Sequence, residues 1–399
     1  MDLRKFRKDT PGTKGKIHLN NAGASLLTTT VHQAVIEHME LEMSIGGYEA
    51  QNRAKPALER TYDAIAELIN CSRDEIALME NATAAWLMAF HSIAFNKGDR
   101  ILTSEAEYAS NAISYLQVAK KNGVKVDVVP SDEHGQLDIT ALETMIDPSV
   151  ALISISHIPS NGGLINPAAE VGKIAKQHNI PYLLDACQSI GQIPLDMEEI
   201  GCDMLSATGR KYLRAPRGTG FLYIRKGFMD TVSPPFLDLL SADWTDINHY
   251  KIRDDARRYE NWESNIAAQI GLGVAIDYYL NAGVEATSTA ICTLAAEARK
   301  DLSAIPGITV HDIGLKKGGI VTFSHYHLPA QRIKEYLATK NINVSTTGVG
   351  STRYDMEKRN LETIVRASFH YYNTRAELDI FLKETVKLVL DLQKIESIS

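Results

Sequence analysis

At 399 residues, with a net charge of −7 and 44% apolar residues, the chain has the composition of a folded globular protein and not of a disordered one. No basic stretch is concentrated enough for nucleic-acid binding, and no apolar run approaches the roughly 18 to 20 residues of a membrane-spanning helix. The four cysteines (Cys71, Cys187, Cys202, Cys292) are scattered without a CxxC pair and suggest neither zinc nor a disulfide framework.

The opening stretch from Met1 to Lys8 is charged and lacks the apolar core of a signal peptide, so a reducing, cytoplasmic setting is expected. Gly12-Thr-Lys-Gly-Lys16 is not a phosphate-binding P-loop, because its spacing is wrong and no strand precedes it. A helix is expected over 56–70, with Leu58, Tyr62, Ile65 and Ile69 on one stripe. From there to about residue 225, apolar runs of strand length alternate with helical patterns. The strands are expected over 76–79, 100–103, 125–129, 150–156, 182–186, 204–207 and 220–224. Between them, 167–179 reads as a helix opened by proline, with Val171, Ile174 and Ala175 on its apolar face. This alternation predicts an α/β fold, a mostly parallel sheet sandwiched by helices. Beyond residue 260 the pattern changes to helices over 265–280, 284–305, 330–340 and 375–393, with strands over 309–312, 320–324 and 364–368. The expected organisation is an N-terminal segment (1–20) packed on a small domain, a large domain (21–264), and a smaller C-terminal α+β domain (265–399).

In open parallel sheets, ligands sit beyond the carboxyl ends of the strands, and the polar signals fall there. Glu80-Asn-Ala-Thr83 follows the first strand; it offers the N–H groups of Ala82 and Thr83 and the Thr83 hydroxyl to a phosphate, or is simply a helix capped by Asn81. Tyr108 follows the second strand and suits either stacking on a flat ring or core packing. Ser160 and Asn161 follow the fourth strand, and Asp185 and Gln188 the fifth. Thr208, Arg210 and Lys211 open a Gly/Ser/Thr-rich turn after the sixth. An acid on a strand end and a lysine in such a turn suit pyridoxal 5'-phosphate, which needs a lysine for its Schiff base and a carboxylate for its ring nitrogen. No metal is expected; His325 and His327 lack a third ligand.

From His18-Leu-Asn-Asn-Ala-Gly23 to Val365-Arg-Ala-Ser368, the chain resembles the class V aminotransferase group of fold-type-I pyridoxal-phosphate enzymes. That group includes cysteine desulfurases, isopenicillin N epimerase and the ergothioneine-pathway C–S lyase. The resemblance implies that Lys211 holds the cofactor, Asp185 pairs with its ring nitrogen and Gln188 reaches its phenolic oxygen. Thr83, Thr208 and Arg210 would hold the phosphate, and Tyr108 takes the stacking place where desulfurases have histidine. Arg366 would clamp the substrate carboxylate, and Arg353, on the loop 345–353, would meet a distal acidic group or serve only as a surface charge.

Three departures stand out. The loop 345–353 lacks the nucleophilic cysteine of desulfurases. The desulfurase asparagine aligns with Ser160, beside Asn161. Glu263 stands near the threonine that in desulfurases reaches the partner subunit's phosphate. The resemblance implies a homodimer with its site near the subunit interface, acting on a small amino acid and binding neither nucleic acid nor membrane. The nominal activity is that of an aminotransferase, with C–S lysis of a cysteine derivative or epimerisation as alternatives. An inactive homologue with a regulatory role is the reading from a different class.

Overall fold

In the computed structural model, which describes residues 2–396, seven strands form one sheet. In spatial order they are Ile76–Met79, Gly220–Ile224, Met204–Thr208, Tyr182–Asp185, Val150–Ser156, Arg100–Ser104 and Lys125–Val129. Gly220–Ile224 runs antiparallel to both neighbours and every other pairing is parallel, so the sheet is mostly parallel as the alternation predicts. Each strand begins and ends within one residue of its expected limits.

Every residue of Tyr182–Asp185, Met204–Thr208 and Gly220–Ile224 is buried, because helices cover both faces. Adjacent residues point into different layers. Leu184 joins Ile65 and Leu205 on one side, and Leu183 joins Trp86, Phe90 and Tyr115 on the other. Helix Ala168–His178 buries Val171, Ile174 and Ala175 and stops at Asn179, whose φ of 55° is left-handed. The stripe expected over 56–70 is present in a longer helix, Gly47–Ile69, with Pro56 inside it.

A second sheet is antiparallel and orders Ile308–Val310, Ile320–His325, Thr363–Ser368 and Ser345–Gly348. The segment 345–348, read from the sequence as loop, is its edge strand. Its Ser-Thr-Thr run pairs with the neighbouring strand, and β-branched residues suit that pleat. The N-terminal segment reaches this part of the molecule, where Ile17–His18 pairs in parallel with Ile342–Asn343. Helix Ile266–Ala282, assigned from the sequence to the smaller unit, instead buries Leu272, Ala275, Ile276 and Tyr279 in the core of the large sheet. The change of core falls in the next helix, Val284–Ser303. Its Ile291 packs on the large side, and its Leu294, Ala298 and Leu302 on the small side. A hairpin, Ala242–Asp246 with His249–Ile252, carries exposed Trp244, Ile247 and Tyr250 and had no clear signal in the sequence.

Glu260 is buried against the outer strand, where its carboxylate accepts from the Leu78 N–H at 2.7 Å and the Tyr62 hydroxyl at 2.8 Å. Burial pushes its pKa up to about 7. A folded-state pKa above the unfolded value means that this group's stabilisation is complete in acid and is lost as pH rises through about 7. Glu260→Gln removes that titration. Relative to wild type, the variant should gain stability on the order of 2–3 kcal/mol between about pH 5 and pH 8. Urea unfolding across that range measures the difference, and a flat difference would contradict the assignment.

Candidate active site

Ser104, Ser156, Asp185 and Thr208 end adjacent parallel strands, and a pocket opens beyond three of them. It is lined by Ala82, Thr83, Tyr108, Ser160, Asp185, Gln188, Thr208, Arg210 and Lys211, together with Asn81, Asn111, Ser156, Ile158 and Cys187. All the residues expected around a cofactor are therefore gathered there except Asn161.

Lys211 and Asp185 are both buried. Burial drives the lysine pKa down, toward a neutral amine, and the Nζ–Cys187 Sγ hydrogen bond of 3.2 Å holds that amine in the pocket. Burial also raises the Asp185 pKa, opposed by the Asn111 amide at 3.0 Å and the Cys187 N–H at 2.9 Å. Those two donors leave lone pairs of a buried carboxylate without a cation bonded to it, so a cationic ring nitrogen would complete its surroundings. Cys187 bonds to both groups, and burial pushes its thiol pKa up.

Asn81 does cap helix Ala82–Phe90, its side chain accepting from the Ala84 N–H, so the cap reading and the anion reading hold together. The cap leaves the N–H groups of Ala82 and Thr83 free of intrahelical partners. Gly220 lies behind this turn, where an added Cβ would meet the Asn81 backbone at 2.8 Å and the Ala207 carbonyl at 2.5 Å. Gly209 is equally constrained between Thr208 and Arg210, since a Cβ there would meet Thr219 Oγ1 at 2.2 Å. Any side chain at either position would push the turns apart. Arg210 donates to the Gly23 carbonyl, which ties the N-terminal segment to the lysine turn. Gln188 donates to the Ala22 carbonyl at 3.2 Å, and its buried Oε1 has no partner among the described residues.

Arg366 enters from the second sheet and donates to the Ser160 carbonyl at 3.0 Å. Its Nε is buried without a partner among the described residues, although burial works against the guanidinium charge. An anionic ligand would satisfy both demands. Asn161 turns away from the pocket and donates to Asp355 Oδ2 at 2.6 Å, leaving Ser160 at the pocket wall. Of its two expected readings, Arg353 takes in this structure that of a surface charge. It is exposed, pairs with Glu357 one turn along its own helix and does not line the pocket. Its place at the start of helix Arg353–Lys358 favours that local pair. Asn265 caps helix Ile266–Ala282, and Glu263 lines a separate surface cavity with Tyr48 and Trp262.

Glu107, Asn111 and Ser156 went unread in the sequence. Glu107, Asn111 and Tyr115 recur every fourth residue, a one-face helical spacing that marks them as neighbours. Among the described residues, no cluster of three His, Cys, Asp or Glu could hold a metal ion, and no helix is long and apolar enough to cross a membrane.

The unpartnered Gln188 and Arg366 atoms, Asp185 with no cation bonded to it and the lysine whose pKa burial lowers fit pyridoxal phosphate with an amino acid beside it. Comparison with known proteins agrees with this chemistry. The family model for class-V aminotransferases matches residues 17–381. A probable cysteine desulfurase of Pyrococcus abyssi is 28% identical over 394 residues, covering 97% of this chain and 98% of the relative. The apo structure of a cysteine desulfurase from Thermococcus onnurineus NA1 superposes with a TM-score of 0.91 at 27% identity, covering 97% of this chain and 98% of that one. A cystine C–S lyase solved with its product cysteine persulfide shares the fold, with a TM-score of 0.86 at 21% identity over 94% of this chain and 99% of that one.

Proposed function

The chain belongs to the class-V aminotransferase family and is a pyridoxal-phosphate enzyme, and we propose that it acts on an amino acid in the pocket shared by Lys211 and Asp185. The observation carrying this reading is a buried, deprotonation-prone amine beside a buried carboxylate, with an under-bonded arginine supplied from the second sheet. When bound, the cofactor supplies an aldehyde that condenses with amines and a ring that draws electrons from the substrate α-carbon.

The protein's own residues do the rest. Lys211, whose pKa burial lowers, would be the amine that holds the cofactor's aldehyde and the group placed to move the substrate α-proton. Asp185 is the fixed anion that favours a protonated ring nitrogen. The first-turn N–H groups of Ala82 and Thr83, with Thr208 and Arg210, would hold the phosphate, and Tyr108, on the pocket wall, would be the residue for the ring face. Gln188 would reach the phenolic oxygen through its side-chain amide. Arg366 binds the substrate carboxylate, with Ser160 beside it.

Aminotransfer is the nominal outcome. C–S lysis is the second reading, favoured by likeness to cysteine desulfurases. The turn after Ser345–Gly348 has no cysteine to accept sulfur, and Cys187 is held by Lys211. A persulfide route through a loop cysteine is therefore not part of the proposal. Cofactor-loaded protein is assayed against a panel of amino acids and cysteine S-conjugates, with and without a keto acid acceptor. Keto acid that accumulates catalytically only with acceptor supports aminotransfer. Catalytic pyruvate without acceptor supports lysis, and recovery of the amino acid with its α-carbon inverted supports epimerisation. No conversion and no α-hydrogen exchange with any substrate would refute the reading.

Arg366→Lys should lower kcat/KM for the amino acid roughly a hundredfold, since a point charge replaces a bidentate fork. The corresponding decarboxylated amine should react at an unchanged rate, and equal losses for both substrates would remove Arg366 from carboxylate binding.

We further place a second copy of the chain on the face bearing exposed Met39, Met43, Tyr48 and Trp262, giving a cytoplasmic homodimer with the site near its interface. Sedimentation of wild type against Trp262→Glu tests this, with a monomeric variant expected.

A further inference from the structure

Two buried carboxylates lie on either side of one amide. Asn111 Nδ2 donates to Asp185 Oδ2 at 3.0 Å and to Glu107 Oε1 at 3.0 Å. Glu107 is 1% exposed, and no ion pair reaches it among the described residues. Its bonds are all to neutral donors. Oε1 also accepts from the Tyr108 N–H at 2.6 Å and Ser156 Oγ at 2.6 Å. Oε2 accepts from Thr103 Oγ1 at 2.9 Å and faces the Tyr115 hydroxyl at 3.2 Å. These partners come from two strands of the sheet, from the loop between strand and helix, and from the helix itself.

A carboxylate is expensive to bury without a cation, and a core built only for packing would be served as well by an apolar side chain. What Glu107 does that an apolar side chain cannot is accept from Asn111. That bond orients the amide so that its other hydrogen meets Asp185. The Cys187 N–H fixes the second oxygen of Asp185 at 2.9 Å, so the plane of the carboxylate is set from two sides. Burial and the Asp185 charge raise the Glu107 pKa to about 7, as close packing of two acids requires.

We propose that Glu107 is a positioning residue for the cofactor, acting through Asn111 to hold Asp185 in the orientation that meets the ring nitrogen. The inference rests on the proposed function, because it takes Asp185 as the ring's partner. Glu107 itself lies behind Asn111 and outside the pocket lining.

The test measures cofactor binding and the circular dichroism of the bound cofactor, not turnover alone, in wild type, Glu107→Gln, Glu107→Ala, Asp185→Asn and the two double variants. Glu107→Gln keeps one acceptor oxygen for Tyr108, Asn111 and Ser156, so it is the variant expected to fold; Glu107→Ala abandons every donor. The alanine variant should weaken cofactor affinity about tenfold and reduce the dichroic band, and glutamine should restore most of both. In the Asp185→Asn background, the Glu107→Ala loss should shrink below about twofold, because the group it works through is already altered. If Glu107→Ala does not fold, Asn111→Leu takes its place and is expected to give the same loss and the same non-additivity. Lower melting temperature with unchanged cofactor affinity and dichroism, or full additivity with Asp185→Asn, would overturn the proposal. Wild-type protein that binds no cofactor would instead overturn the function on which it rests.

Discussion

Lys211→Ala should abolish turnover on every substrate, by roughly a thousandfold or more, and eliminate the visible absorbance that depends on an enzyme amine joined to the cofactor. The expectation follows from placement. Lys211 is the one lysine lining the pocket, its amine lies 3.2 Å from Cys187 Sγ, and burial lowers its pKa, which favours the nucleophilic form. A basic side chain elsewhere cannot substitute, because Arg210 and Arg366 carry guanidinium groups, which do not condense with an aldehyde as the lysine amine does. The cofactor-free variant should melt no lower than wild type, since it removes a buried amine that folding must desolvate. Added methylamine should recover a measurable fraction of activity by standing in for the missing side chain. Retained turnover in purified Lys211→Ala would end the assignment.

Asp185→Asn is expected to be the next most damaging change, lowering kcat by about 10² to 10³-fold with a smaller effect on KM. The replacement conserves shape, so the loss isolates charge and hydrogen bonding. One oxygen of Asp185 accepts from Cys187 N–H and the other from the Asn111 amide, so an Asn side chain must present N–H to one of these donors. Rotating Asn111 to relieve the clash would turn its oxygen toward Glu107. The network therefore transmits the change to its neighbour. Ring-nitrogen protonation should retreat to lower pH, followed in the absorbance of the loaded enzyme. A kcat within threefold of wild type at the pH optimum would remove Asp185 from the chemistry.

The sequence disclosed the large sheet well, because its strands are short apolar runs separated by turn residues and buried on both faces. The site residues that follow those strands were legible for the same reason: once the strands are placed, the C-terminal ends locate Asp185, Thr208 and Lys211. Elements with mixed composition were harder. Ser345–Gly348 reads as loop because Ser and Thr are polar, and only its pairing with Thr363–Ser368 makes it a strand. Helix Ile266–Ala282 is apolar nearly all round, so its pattern does not say which core it joins; its packing against Thr29–Ile45 and Gly47–Ile69 decides that. Arg353 was left open between two readings for another reason. Proximity along the chain to a loop over the site does not fix where a long side chain points, and a glutamate one turn away captures it. Glu107 escaped notice because a lone glutamate at a helix start is ordinarily solvated, and only the fold brings Thr103, Ser156 and Tyr115 around it.

The contacts of Asn21 and Ala22 with Ser368 bear on biosynthesis. Ser368 accepts the Ala22 N–H at 2.9 Å and the Asn21 amide at 2.7 Å, and the strand containing it also carries Arg366. Ala22 and Gly23 in turn receive Gln188 and Arg210. Segments 346 and 347 residues apart in the chain therefore meet beside the turn that carries Lys211, and only a chain synthesised past Ser368 can make these contacts.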